Sequence, residues 1–242
     1  MTKGNSEMET ESVSFFGKKI QRRHFFQFAS ASVLIAGVAG CKKSDAPGTG
    51  NPFVNVDNTI DFADLNDTGL LNYIYAFEQL EAAFYLKLKE SFPAALTNLQ
   101  RLYFIDIASH EVAHREFYKN FLGSSALGTL TFDFSTIDFT DVQSVLAAAK
   151  IFEDLGVAAY NGVIARSKQL HTVVIASQVA SVEARHAAWI RNQITPNSFA
   201  DLTEMNAIGA VAIEGRDALL SPAEVLSAAS KYIITKLNVI NL

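Results

Sequence analysis

The 242-residue chain is poor in the residue types that would open several familiar chemistries. It has one cysteine, Cys41, so it offers no intramolecular disulfide, no paired-thiol redox motif and no thiolate-rich zinc or iron–sulfur site. A metal held by this chain must be held by oxygen and nitrogen. Positive charge is also short. Twenty Lys and Arg stand against 25 Asp and Glu, for a net charge of −5, which leaves no basic footprint for nucleic acid. Glycine-rich phosphate loops and a GxSxG nucleophile turn are missing. No apolar run reaches the about 20 residues that a membrane span needs. What the chain has is apolar residues, 49% of the total, and 11% aromatics, enough for a substantial core.

The first forty residues read as an address. Arg22-Arg23 precede a short apolar stretch, Phe25 to Gly40, diluted by Gln27 and small residues. This order of charged, apolar and small residues is that of an export signal. The paired arginines resemble a twin-arginine (Tat) signal, and Val38-Ala39-Gly40-Cys41 resembles a bacterial lipobox, with Cys41 as the lipid-accepting residue. The expected arrangement is a signal over 1–41, a flexible tether over 42–66 rich in Gly, Pro, Asn, Asp and Ser, a helical bundle over 67–195, and a helical extension over 196–242.

Asp67-Thr68 can cap a helix running through Leu70, Leu71, Ile74, Tyr75, Leu80, Phe84 and Leu86, apolar at three- and four-residue intervals. Pro93 starts a second helix, Leu96 to about Phe121, that Gly123-Ser124-Ser125 ends. Residues 124–140 have no helical period and read as an extended crossover. Asp141 caps a third helix to about Ser167, a fourth runs from about Leu170 to Gln193, and Ser221-Pro222 opens a helix over 222–238. The predicted fold is all-α: two helix pairs with one long crossover between helices 2 and 3, plus a C-terminal helix.

Two Glu-x-x-His pairs, Glu111/His114 and Glu183/His186, fall on the second and fourth helices. At 3.6 residues per turn, positions three apart share a face and can share an ion. The first and third helices each carry a glutamate within an apolar stretch, Glu78 and Glu153. The spacings repeat: 75 residues separate Glu78 from Glu153, and 72 separate each member of one Glu-x-x-His pair from its counterpart. Tyr85 and Tyr160 each follow a lone glutamate by seven residues, two turns on, and are candidates for hydrogen bonding to the ligands. Glu81, one turn beyond Glu78, is the alternative ligand on that helix. The tyrosine spacing favours Glu78. Asp154 and His110 sit next to ligands in sequence and point about 100° away, behind the ligands or to solvent. His171 reads as a surface residue. Four carboxylates and two imidazoles can neutralise and hold two divalent ions, and a thiolate-free set favours iron or manganese. Unpaired carboxylates in a bundle core would be costly without a cation among them.

At these residues the chain resembles the ferritin-like superfamily, and within it the exported bacterial ferritin-like proteins related to desiccation-associated proteins. The stretches that carry the likeness are Asn72–Tyr85 (NYIYAFEQLEAAFY), Ala108–Phe117 (ASHEVAHREF) and Ala180–Arg191 (ASVEARHAAWIR). The resemblance implies a ferritin-like four-helix bundle with Glu78, Glu111, His114, Glu153, Glu183 and His186 as di-metal ligands, and Glu111 and Glu183 as bridges. It implies two iron ions, with manganese the other choice, and a di-iron oxidoreductase of ferroxidase or peroxidase type acting on ferrous iron with oxygen or peroxide. The alternative is a non-catalytic metal-binding or structural stress protein. A rubredoxin module, haem binding and a 24-subunit cage do not fit one cysteine, a Met205 outside the bundle and a lipid on each subunit. The expected state is a monomer or small homo-oligomer anchored by lipid to a bacterial membrane.

Overall fold

The computed structural model describes residues 57–201 and 215–242. The signal over 1–41, with Cys41, most of the tether and Met205 lie outside the described residues. Within them the chain runs β1 (Thr59–Asp61), α1 (Thr68–Glu90), α2 (Asn98–Leu122), α3 (Val142–Arg166), α4 (Leu170–Ile194), α5 (Pro222–Ala229) and β2 (Asn238–Ile240), with 3₁₀ turns at Gly123–Ser125 and Ser230–Tyr232. Helix α1 packs against α2, α3 packs against α4, and α1 meets α3 across the middle. This is the predicted all-α bundle of two helix pairs.

Helices α2, α3 and α5 start where short polar side chains satisfy free backbone N–H groups. Asp141 accepts from the backbone of Gln143 and Ser144 at the head of α3. Ser221 and Glu224 form a reciprocal capping box on α5. Two starts differ from expectation. Helix α2 opens at Asn98 behind a Thr97/Gln100 capping box, and Pro93 only closes a preceding turn by accepting from Leu96. Asp67, in the left-handed region with φ 62°, does not cap α1 with its side chain. Its buried carboxylate reaches across the bundle and accepts from the backbone N–H groups of Lys168 and Gln169, where α3 turns into α4.

The crossover from α2 to α3 is irregular, as expected, but its backbone is tied down. Two buried amides of α1 bind it as a second chain would. Asn72 donates to Ser125 O at 2.8 Å and accepts from Leu127 N–H at 2.9 Å. Gln79 donates to Gly128 O at 3.2 Å and accepts from Leu130 N–H at 2.9 Å. Leu130, Phe134 and Ile137 are buried, and Phe134 joins Phe84, Phe139 and Phe152 in one aromatic cluster. Burial of such side chains contributes about 1.5–3 kcal/mol each.

Both ends of the described chain depart from the sequence reading. The helix expected over 222–238 stops at Ala229, and the chain passes through a 3₁₀ turn into β2. Residues Lys236 to Ile240 have the alternating exposure of a strand rather than a helical stripe. Strand β2 pairs in parallel with β1, Ile60 opposite Val239. The segment expected to tether the bundle up to residue 66 is therefore folded from Asp57 on, with Ile60 fully buried. Strand β1 crosses α1 so closely that a Cβ on Gly69 would lie 1.8 Å from the Asp61 carbonyl oxygen. Only glycine fits there. No helix among the described residues is long and apolar enough to cross a membrane.

Candidate metal centre

Five glutamates are completely buried at the middle of the four helices: Glu78 and Glu81 on α1, Glu111 on α2, Glu153 on α3 and Glu183 on α4. His186 of α4 is buried with them, and His114 of α2 is half-buried at the edge. Ligating atoms fall into two overlapping groups, each with its atoms within 4.8 Å of one another. One is Glu78, Glu111, His114 and Glu183, and the other is Glu111, Glu153, Glu183 and His186. The structure thus brings together all six residues singled out from the spacing.

Glu111 and Glu183 belong to both groups, and each divides its two oxygens between them. Glu111 places Oε2 3.4 Å from His114 Nδ1 and Oε1 2.8 Å from His186 Nδ1. Glu183 places Oε1 3.0 Å from His114 Nδ1 and Oε2 3.9 Å from His186 Nδ1. Glu78 joins the first imidazole at 3.4 Å and Glu153 the second at 3.4 Å. Despite these distances, both ring nitrogens and both oxygens of Glu111 and of Glu183 lack a hydrogen bond of proper direction. The atoms converge on common points instead of pairing. Lone pairs that converge from carboxylate and imidazole, in an otherwise apolar core, are what a bound cation satisfies.

The two tyrosines bind the lone glutamates crosswise. Tyr85 of α1 donates to Glu153 of α3, and Tyr160 of α3 donates to Glu78 of α1. Both rings are buried, so each hydroxyl orients one carboxylate from behind. His110, expected behind the ligands or in solvent, backs the cluster: its Nδ1 lies 2.9 Å from His186 Nε2. Asp154 turns to the far side of α3 and forms a buried pair with Arg191 of α4, at 2.6 and 3.1 Å, while also accepting from Lys150. His171 is exposed. Glu81, set second to Glu78 on the sequence pattern, is as deeply buried as Glu78, and both of its oxygens lack a hydrogen-bond partner.

The electrostatics describe a cluster short of positive charge. Burial pushes Glu78 and Glu153 up to about 8, against the pull of the adjacent imidazoles. Burial and the neighbouring carboxylates, Glu183 first, hold Glu81 well above the usual range. Burial opposes charge on His114, but Glu78, Glu111 and Glu183 outweigh it and raise its affinity for a proton. His186 behaves likewise, raised by Glu153 and Glu111. Glu111, buried but flanked by both imidazoles, is drawn down to about 2. Protons on the imidazoles thus take the place of cations.

A family model described as a ferritin-like domain matches residues 66–196, more than half of the chain. The chain belongs to the ferritin-like domain family. The matched stretch runs from the turn before α1 to the residue pair after α4, so the family signature coincides with the part of the fold that builds the centre. No curated protein matches the chain.

Proposed function

We propose that the centre of this ferritin-like protein binds two metal ions, iron foremost and manganese second. Glu78 and His114 would serve one ion, Glu153 and His186 the other, and Glu111 and Glu183 both. The observation that carries this reading is the division of Glu111 and Glu183, each with one oxygen toward each imidazole. The donor set fits the group, since it is hard, thiolate-free and large enough in charge to balance two divalent ions. A bound iron pair supplies redox chemistry with oxygen or peroxide. The protein's own contribution is to hold the ligands, exclude water with the surrounding aromatics, and orient Glu78 and Glu153 through Tyr160 and Tyr85. The activity we propose is oxidation of ferrous iron with reduction of oxygen or peroxide. The place we propose is the bacterial cell envelope, with the protein exported and lipid-anchored through Cys41 and related to desiccation-associated proteins. Support for that location comes from the order of arginine pair, apolar stretch and cysteine. Replacing Cys41 by Ser should then move the protein from the membrane to the soluble fraction.

A second, non-catalytic reading has its own support. The backbones of α2 and α4 hardly approach each other, and the cluster joins them side chain to side chain, His114 to Glu183 and His186 to Glu111. Ions there would staple the bundle. One experiment separates the readings. Two equivalents of ferrous iron are added without oxygen to a protein beginning at Lys42, and oxygen is then admitted while the near-ultraviolet spectrum is recorded. A rapid oxo-ferric band, lost in Glu111→Ala/Glu183→Ala, is the expected result. Tight binding of two ions with no band would favour the staple, and failure to bind any divalent ion would remove both.

A further inference from the structure

The six ligands form a set with two-fold symmetry, but the cluster does not. Helices α1 and α3 each carry a glutamate and, seven residues on, a tyrosine. The correspondence breaks one turn past the glutamate. Three residues after Glu78 stands Glu81, and three residues after Glu153 stands Gly156. These two positions face each other. A Cβ on Gly156 would lie 2.9 Å from Glu81 Oε1 and 3.4 Å from Glu183 Oε2. The first distance is closer than a real Cβ tolerates, so a side chain on α3 would displace the carboxylate that enters from α1. Glycine in mid-helix is itself unfavourable by about 1 kcal/mol relative to alanine. The space it leaves is occupied by the Glu81 carboxylate, beside one of the two shared glutamates.

Glu81 is fully buried, and neither oxygen has a hydrogen-bond donor. The ionisable groups that bear on it most are all carboxylates: Glu183, Glu111, Glu153 and Glu78. The lone glutamates at 78 and 153 each have a tyrosine hydroxyl behind them, whereas Glu81 has none. A buried carboxylate among four others, without a donor, is the costliest placement in this core. A cation held by the neighbouring ligands is what offsets it.

We propose that Glu81 is a seventh protein ligand of the dinuclear centre, admitted by Gly156, and that it makes the two metal positions unequal. This rests on the reading of the cluster as a two-ion site. Four carboxylates balance two divalent ions. A fifth leaves one negative charge over, so the centre gains most from Glu81 when it is full.

Cobalt(II) tests this without turnover, because its visible ligand-field bands report coordination number. The full-length protein, the variants Glu81→Gln and Gly156→Ala, and the exposed-site control Glu90→Gln are titrated with cobalt(II), following heat and absorbance. In the wild type and the control we expect two ions. In Glu81→Gln we expect one ion to bind as before and the other at least about tenfold more weakly, with stronger bands that mark a lower coordination number. Gly156→Ala, which favours the helix and removes no ligand, should reproduce that selective loss by pushing Glu81 aside. Thermal unfolding of the metal-free variants should show Glu81→Gln no less stable than the wild type, since its carboxyl has no hydrogen-bond partner to lose. Two ions bound by Glu81→Gln with wild-type affinities and bands would overturn the assignment while leaving the two-ion reading intact. Loss in Glu81→Gln without loss in Gly156→Ala supports the ligand and overturns the role of the glycine. No cobalt bound by the wild type overturns the two-ion reading and this one with it.

Discussion

At the scale of single residues, the crossed tyrosines make the sharpest demand. Tyr85 and Tyr160 hold glutamates on each other's helix, so removing either hydroxyl leaves a buried carboxylate oxygen without its donor. Tyr85→Phe and Tyr160→Phe should each cost about 1–3 kcal/mol in the metal-free protein. Each should also weaken metal binding by roughly 10–100-fold, the usual effect of losing a group that orients a ligand. Calorimetric titration with manganese(II) checks both. Equal affinity in the wild type and in both variants would show that the hydroxyls do not position the carboxylates. The seven-residue spacing made the tyrosines visible in the sequence, because two turns return a side chain to the same face. It could not show which glutamate each one meets, since that depends on how α1 lies against α3. The surroundings of Glu81 were hidden for a related reason. Its neighbour is a glycine 75 residues away, and spacing along one helix does not reveal where the opposite helix leaves room.

At the scale of elements, the four main helices were legible almost to the residue. Apolar periodicity, Asp141, Ser221-Pro222 and Gly123 are local signals, and the structure respects them. The misreadings arose where an element's fate is decided far away in sequence. Strand β1 looked like tether because three residues have no meaning as a strand until β2 arrives 179 positions later to pair Thr59 with Asn238. Asp67 looked like the cap of its own helix and instead holds the turn between α3 and α4. That difference can be measured. Asp67→Ala should destabilise the protein by about 1–2 kcal/mol. The amide protons of Lys168 and Gln169 should lose hydrogen-exchange protection, while those opening α1 keep theirs. Lost protection at the start of α1 alone would mean that the side chain serves its own helix after all.

At the scale of the whole molecule, the buried cluster sets how stability responds to pH and to metal. Glu78 and Glu153 rise from 4.5 to about 8 on folding. Over that interval the native state keeps protons that the unfolded chain has released, so stability falls as pH rises. His114 and His186 act in the same sense above 6.5, because their native proton affinity is raised as well. Glu111 acts in the opposite sense, but only below 4.5, where its lowered value of about 2 favours the native state as pH increases. Surface carboxylates such as Asp64, Asp133 and Asp138 are lowered by local hydrogen bonds and also matter only in acid. The metal-free protein should therefore be most stable near about pH 5 and lose stability steadily to about pH 8.5. Metal binding must displace the protons that cause this fall, so excess manganese(II) should add little to the melting temperature at the acidic end and most at the alkaline end. Thermal unfolding with chelator and with manganese(II) across that range tests both halves. A metal-free melting temperature that stays level or climbs from about pH 5 to about 8 would mean that the native cluster holds no more protons than the unfolded chain over that range, and the competition between protons and metal would fail.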